Sequence, residues 1–206
     1  MRRRQFLAGA TVATAAAAVP RAAAAQSRAF PRGFAWGAAT SSYQIEGTPT
    51  RGGGGESVWD VFTRRPAAIR DGSSGEIACD HVARYAEDVR LMRELGLGAY
   101  RMSLSWPRLF PDGTGRLNEQ GVAFYDRLVD ALLAAGIAPW ITLFHWDYPQ
   151  ALQARGGWRA PQAADWFAEY AAFAVRRWGD RVTHWITLNE PEVFIMLGHR
   201  WDTHAP

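Results

Sequence analysis

The sequence predicts an α/β fold in which successive βα units lay down a parallel sheet of the barrel kind. Short apolar runs alternate with long amphipathic ones at a spacing of about forty residues, the rhythm of strand–helix–strand units. Three of the four short runs end in a dense polar or aromatic cluster: Arg101 to Trp106, His145-Trp146-Asp147 and Asn189-Glu190. In barrels the C-terminal strand ends carry the site, whereas the opposite ends carry stability. A doubly wound sheet is the competing arrangement. It usually shows a Gly-rich phosphate turn after its first strand, and here the chain continues as Ser41-Ser42-Tyr43-Gln44-Ile45-Glu46-Gly47. Gly52–Gly55 lacks the G-x-G-x-x-G context and does not sit between a strand and a helix.

The elements follow in order. Phe34–Thr40 reads as the first strand. Residues 81–95 place Val82, Tyr85, Val89, Met92 and Leu95 at helical spacing, and Gly96 closes them. Ala99–Trp106 is the second strand, and Asn118 is placed to cap a helix from Glu119 to Ala135 that ends at Gly136. Ala138–Phe144 is a continuous apolar strand. Residues 162–178 form a helix with Phe167, Tyr170, Ala174 and Trp178 on one face, and His184–Leu188 is the fourth strand. Most of the ten Trp are assigned to the core, among them Trp166 and Trp178 on a helix and Trp140 and Trp185 on strands.

The 206 residues are 48% hydrophobic and 13% aromatic, which is folded rather than disordered composition and suits one domain or a piece of a larger one. The formal charge of +3 comes from the first 25 residues, which hold Arg2, Arg3, Arg4 and Arg21 and no acid. The remainder is almost balanced, so no basic excess argues for nucleic acid or anionic lipid. Every basic residue is Arg, which excludes a Walker A loop and a Schiff-base lysine. Cys79 is the single cysteine, so there is no internal disulfide and no thiolate zinc cluster.

Residues 1–25 read as a leader of the twin-arginine type. Arg3-Arg4-Gln5-Phe6-Leu7 opens a weakly apolar run to Val19, followed by Pro20, Arg21 and Ala22–Ala25. Bacteria use such leaders to export folded proteins, so the expectation is cleavage near Ala24 or Ala25 and a periplasmic or secreted product. The run is too short and too polar to span a bilayer, which argues against stable membrane anchoring.

Several residues carry chemistry. Glu190 follows the fourth strand between Asn189 and Pro191; a carboxyl shielded by aromatics at a barrel mouth holds a proton near neutral pH and can give it to a leaving oxygen. Asn189 offers a donor and an acceptor to a sugar hydroxyl. His145-Trp146 reads as an imidazole bonding a ring hydroxyl beside an indole on a sugar face; taken alone, a core pair satisfied by backbone fits better. Gln44, at the end of the first strand, can fork two hydrogen bonds to adjacent hydroxyls, although a lone Gln is more often a loop residue. Arg101 points from the second strand toward the same end or into the barrel interior, and a buried Arg demands a carboxylate partner. Glu46 and Asp60 look structural, bracing the loop from Glu46 to Asp80. A metal at His145 and Asp147 fails for want of a third ligand.

Phe34-Ala-Trp36-Gly37-Ala-Ala-Thr-Ser-Ser-Tyr43-Gln44-Ile-Glu46-Gly47 resembles the N-terminal signature of glycoside hydrolase family 1, the β-glucosidase family. Ser57-Val-Trp-Asp60, Ala78-Cys-Asp-His81, Tyr100-Arg-Met-Ser-Leu-Ser-Trp-Pro-Arg108, Thr142-Leu-Phe-His145-Trp-Asp-Tyr-Pro149, Gly156-Gly-Trp158 and Thr187-Leu-Asn-Glu-Pro191 follow in the family's order, up to the final His204-Ala-Pro.

The resemblance implies a (β/α)8 barrel, a retaining β-glycosidase and neither metal nor cofactor. It implies that Glu190 is the general acid/base, that Gln44, His145, Trp146 and Asn189 hold the non-reducing sugar, and that Arg101 lies against the nucleophile. The family's nucleophile is a second Glu on the seventh strand, and the chain contains no such motif. Residues 26–206 fall well short of the roughly 250 of a typical barrel, so they are read as its N-terminal part, truncated after about the fourth strand. Two readings result. One is a β-glucosidase-type hydrolase acting on a β-glucoside or oligosaccharide and releasing terminal β-D-glucosyl residues. The other is an inactive half-barrel with at most weak sugar binding, open to self-association through its uncovered edges.

Overall fold

Four short parallel strands, in the order β1-β2-β3-β4, make one sheet, with a long helix in each connection between them. A computed structural model describes residues 30–206; the leader assigned to residues 1–25 lies outside the described residues. The chain divides into two units, Met1–Phe34 and Ala35–Pro206. In the described part of the first, the Phe30 and Phe34 rings lie 4.6 Å apart. The second contains β1 (Gly37–Ala39), α1 (Ser42–Glu46), α2 (Val58–Thr63), α3 (His81–Glu94), β2 (Ala99–Ser103), α4 (Trp106–Leu109), α5 (Glu119–Ala134), β3 (Ala138–Phe144), α6 (Gln150–Gln153), α7 (Ala163–Trp178), β4 (His184–Leu188) and α8 (Pro191–Val193). A π-helical segment, Phe194–Arg200, follows.

Sequential order without reversal decides between the two arrangements that the sequence leaves open. A doubly wound sheet reverses its strand order at a switch point, whereas barrel strands are added one after another. The fold is the first part of a (β/α) barrel.

Two strand boundaries differ from expectation. β1 is confined to Gly37–Ala39 because β2 is its only partner and begins opposite Gly37, at Ala99. Gly37 is needed there, since a Cβ would stand 2.7 Å from the Ala99 carbonyl oxygen. β2 ends at Ser103, and the α4 turn begins three residues later at Trp106, with Pro107 as its second residue.

Register divides the sheet into two faces. Met102 pairs with Ile141, and their side chains lie with Tyr100 and Leu143 on the face covered by helices. Phe124, Leu128 and Leu132 of α5 and Tyr170, Ala174 and Trp178 of α7 complete that core. Each such side chain contributes roughly 1.5–3 kcal/mol on leaving water. Trp106 anchors the core's aromatic centre, stacked on Tyr170 at 4.7 Å. Arg101, Trp140 and His184 project from the other face, toward the barrel interior. Trp140 is therefore not the core residue assumed from sequence. It is 37% exposed and stacks on His184 at 4.2 Å.

Asn118 occupies the residue before α5 but makes no side-chain cap; its amide instead donates to the carbonyls of Gly52 (2.7 Å) and Arg108 (2.9 Å). Asp60 closes a capping box at the start of α2, accepting from the Ser57 amide at 2.8 Å. Glu46, at the end of α1, is buried with Arg108, whose Nε donates to it at 2.9 Å, while the Tyr125 hydroxyl donates at 2.9 Å from α5. Burial holds the Tyr125 phenol well above its ordinary value, which keeps it a donor. The Ser105 amide completes the cluster by donating to Tyr125 at 2.7 Å.

Removing one member of a buried pair leaves an uncompensated charge. Glu46→Ala is expected to lower the unfolding free energy by about 3–5 kcal/mol, read from urea denaturation midpoints. A loss below about 1 kcal/mol, the worth of an exposed pair, would show that the cluster does not anchor α1.

Candidate active site

The C-terminal ends of all four strands share one rim; β1, β3 and β4 deliver their parts of the site through the turns that follow them, and β2 from within the strand. Gln44 is not on the end of β1, as the sequence suggests, but on α1 beyond it. It is exposed there, with Oε1 accepting from Ser41 Oγ at 2.8 Å. Arg101 of β2 reaches along the interior face, Nε donating to Thr142 Oγ1 at 3.0 Å and Nη2 to Asn189 Oδ1 at 2.6 Å. Its expected carboxylate partner is not among the described residues; a hydroxyl and an amide receive the guanidinium instead.

β3 ends in His145-Trp146-Asp147. His145 is half-buried, and its Nδ1 is buried with no partner among the described residues. Burial, reinforced by the Arg101 charge, pushes the imidazole down to about 4, so at neutral pH it is uncharged, one nitrogen donating and the other accepting. Trp146 sits in left-handed backbone at φ 78°, and its indole Nε1–H donates to the Asn189 carbonyl at 2.8 Å.

β4 ends in Asn189-Glu190. Asn189 is buried and commits both ends of its amide, Oδ1 to Arg101 and Nδ2 to Glu190 Oε2 at 3.0 Å. The donor and acceptor that the sequence reading offers to a sugar hydroxyl are thus already engaged. Glu190 is left-handed at φ 42° and exposed. The aromatic enclosure expected around it is absent among the described residues. Non-glycine residues in this conformation cost about 1–3 kcal/mol each and persist where their surroundings over-determine them, often at functional sites.

A cavity of about 460 Å³ opens beside the turns after β1 and β3, with Gln44, His145 and Trp146 in its wall; Arg101, Asn189 and Glu190 do not line it. Tyr43, Trp59 and His204 add aromatic rings to that wall, and none of the three is a site residue expected from sequence. The Trp59 and Trp146 rings lie 5.5 and 6.0 Å from that of His204. Aromatic residues next to Gln44 were the available signal, but nothing local reveals that α2 and the chain end meet there. Apolar rings with a few uncharged polar groups suit a small ligand rich in hydroxyls.

Residues 26–206 match the family model described as Glycosyl hydrolase family 1. The chain belongs to this family. Beta-glucosidase A of Thermotoga maritima is 51% identical over 177 residues, covering 86% of this chain and 40% of that protein. Thermostable beta-glucosidase B of Thermobispora bispora is 56% identical over 178 residues, covering 86% and 37%. The solved family 1 β-glucosidase from Thermotoga maritima superposes with a TM-score of 0.84 at 51% identity, over 86% of this chain and 40% of that one. The chain thus spans about 40% of the length of the curated relatives it matches.

One further carboxyl stands at this family 1 rim. Asp147 is wholly buried, its Oδ2 accepting from Ser42 Oγ at 2.6 Å; Ser103 Oγ donates to the same hydroxyl at 3.2 Å and accepts from the Ser42 amide at 2.8 Å. This chain of hydroxyls ties the α1 turn, which bears Gln44, to β2 and to the His145 turn. Burial pushes Asp147 up to about 8 against the lowering effect of the Ser42 bond, so it is protonated at neutral pH.

The sign of its linkage follows. Folding raises this carboxyl above its ordinary 3.8, so its contribution is intact below that pH and is lost as pH rises toward about 8, at up to about 1.4 kcal/mol per unit. His145 acts oppositely between about 4 and 6.5, but it is common to both proteins in a comparison with Asp147→Asn. The unfolding free energy of the wild type minus that of Asp147→Asn is therefore expected to fall steadily over this window in urea titrations. A difference independent of pH would mean that Asp147 is ionised in the fold.

Proposed function

We propose that this chain is the acid/base part of an exported β-glucosidase-type retaining glycoside hydrolase, which releases terminal non-reducing β-D-glucosyl residues. The observation that carries the reading is Glu190 at the end of β4, held by Asn189 and joined through it to Arg101 and to Trp146, whose ring lies in the wall of the cavity shared with Gln44 and His145. Related proteins bear the names β-glucosidase and 1,4-beta-D-glucan glucohydrolase, and one solved relative is a complex with deoxynojirimycin.

In this reading the neutral His145 and the Gln44 amide hold ring hydroxyls while the Trp146 ring packs on the sugar. Glu190, as acid, protonates the glycosidic oxygen as a carboxylate attacks the anomeric carbon. Glu190 then takes a proton from water, which releases the sugar with retained configuration. Retention requires the two carboxyl groups about 5–5.5 Å apart. Asp147 is buried and protonated, so it does not supply the second one. The nucleophile belongs to the part of the family barrel that these 206 residues do not contain. The second reading is an inactive half-barrel with at most weak sugar binding. Its twin-arginine leader directs it out of the bacterial cytoplasm.

Mixing the purified chain with the C-terminal part of a family 1 relative and measuring nitrophenol release from an aryl β-glucoside tests this. Turnover is expected in the mixture and not in either part alone. Glu190→Gln is expected to reduce it at least about 100-fold, the lower end for a lost acid/base group. Full turnover by the variant would refute the role of Glu190.

A further inference from the structure

We infer that Trp146 is a positioning residue for Glu190, its indole N–H holding the left-handed turn that carries the acid. The inference rests on the reading of Glu190 as acid/base. It adds that Trp146 acts on the acid through the backbone, apart from any contact of its ring with sugar.

Two non-glycine residues at adjacent strand ends are left-handed, Trp146 at φ 78° and Glu190 at φ 42°, and the side chain of the first is bonded to the peptide that leads into the second. Asn189 is held on every side before the chain turns. Its amide donates to the Phe144 carbonyl at 2.9 Å, its carbonyl accepts from Trp146, and its side chain is taken by Arg101 and Glu190. Beyond the turn, the Val193 amide donates to the Glu190 carbonyl at 2.9 Å.

Rotation of the 189–190 peptide is the motion that would relax Glu190 to a right-handed conformation and swing its carboxyl off the rim. The indole bond to the Asn189 carbonyl blocks that rotation. Trp146 can reach this carbonyl because its own turn is fixed: the Tyr148 amide donates to the Trp146 carbonyl at 2.9 Å, and the intervening Asp147 is pinned to Ser42. The strain at Trp146 is thereby coupled to the strain at Glu190. An indole N–H given to backbone is withdrawn from a ligand, so the ring face and the neighbouring His145 remain for the sugar.

The test uses the full chain, labelled with ¹⁵N in tryptophan and asparagine and ¹³C in the glutamate carboxyl, and needs no turnover. The wild-type Trp146 indole N–H is expected to exchange with solvent more slowly than that of exposed Trp201. Replacing Trp146 with benzothienylalanine, which keeps the ring shape and lacks the N–H, is expected to speed exchange of the Asn189 amide about five- to tenfold and to shift the Glu190 carboxyl resonance. Trp146→Phe is expected to do the same; if it fails to fold, the benzothienylalanine protein decides. 5-Fluorotryptophan, which retains the N–H, restores wild-type exchange at Asn189. An indole N–H exchanging as fast as that of Trp201, or Asn189 and Glu190 signals indifferent to its loss, would overturn the assignment. Loss of turnover in the Glu190→Gln mixture bears on the acid/base reading alone, so the two ideas fail separately.

Discussion

Parallel pairing is the constraint from which the site follows. Because β1 to β4 run in the same direction in one sheet, their C-terminal ends meet on a single rim, and residues more than a hundred positions apart become neighbours. Strand pairing alone does not aim side chains. The turns largely do that, and side chains tie the strand ends together: Ser42 to Asp147 between the first and third, Arg101 to Asn189 between the second and fourth, and Trp146 to Asn189 between the third and fourth. The buried Glu46–Arg108–Tyr125 cluster holds α1 from behind, which keeps Gln44 at the rim although it is not on a strand.

What could be read from sequence is what local periodicity dictates. β3, β4 and the helices α5 and α7 fall where the apolar pattern puts them, to within a residue at each end; β3, α5 and α7 bury one face against one another, and β4 packs Trp185 and Leu188 against the same core. β1 and β2 were drawn too long because a strand ends where its partner ends or where proline bends it, and neither is visible in a single segment. Trp140 was misplaced for a related reason. An apolar residue in a continuous apolar strand points to one face or the other by register alone, and register is a property of pairs. At the site, the residues Gln44, Arg101, His145, Trp146, Asn189 and Glu190 were legible from strand-end position and from family motifs. Their bonds were not. That the amide of Asn189 would be taken by Arg101 and Glu190, or that Asp147 would close over Ser42, depends on side chains arriving from separate elements.

Two carboxyl groups stand on this rim, and their surroundings send them in opposite directions. Asp147 is sealed among Ser42 and the aromatic core, where an ionised carboxylate would lose its water without gaining a cation, so it keeps its proton and acts as a hydrogen-bonding brace. Glu190 lies in the open, bonded by one amide, and is free to meet a ligand. Burial rather than residue type separates the carboxyl that braces the fold from the one left open to solvent.

Arg101 shows what a second reacting carboxylate would encounter. It emerges from β2 onto the barrel's interior face and is half-buried there, which is costly for a cation unless it is compensated. In this chain the compensation comes from a hydroxyl and the Asn189 amide oxygen, both neutral, and the same amide holds Glu190 with its other end. A carboxylate brought alongside Arg101 by further strands would compete with Asn189 for the guanidinium. Any rearrangement of that amide is felt at Glu190, one hydrogen bond away. On the proposed roles, the nucleophile's arrival and the setting of Glu190 are coupled through the single side chain of Asn189, whose carbonyl is held by the Trp146 indole.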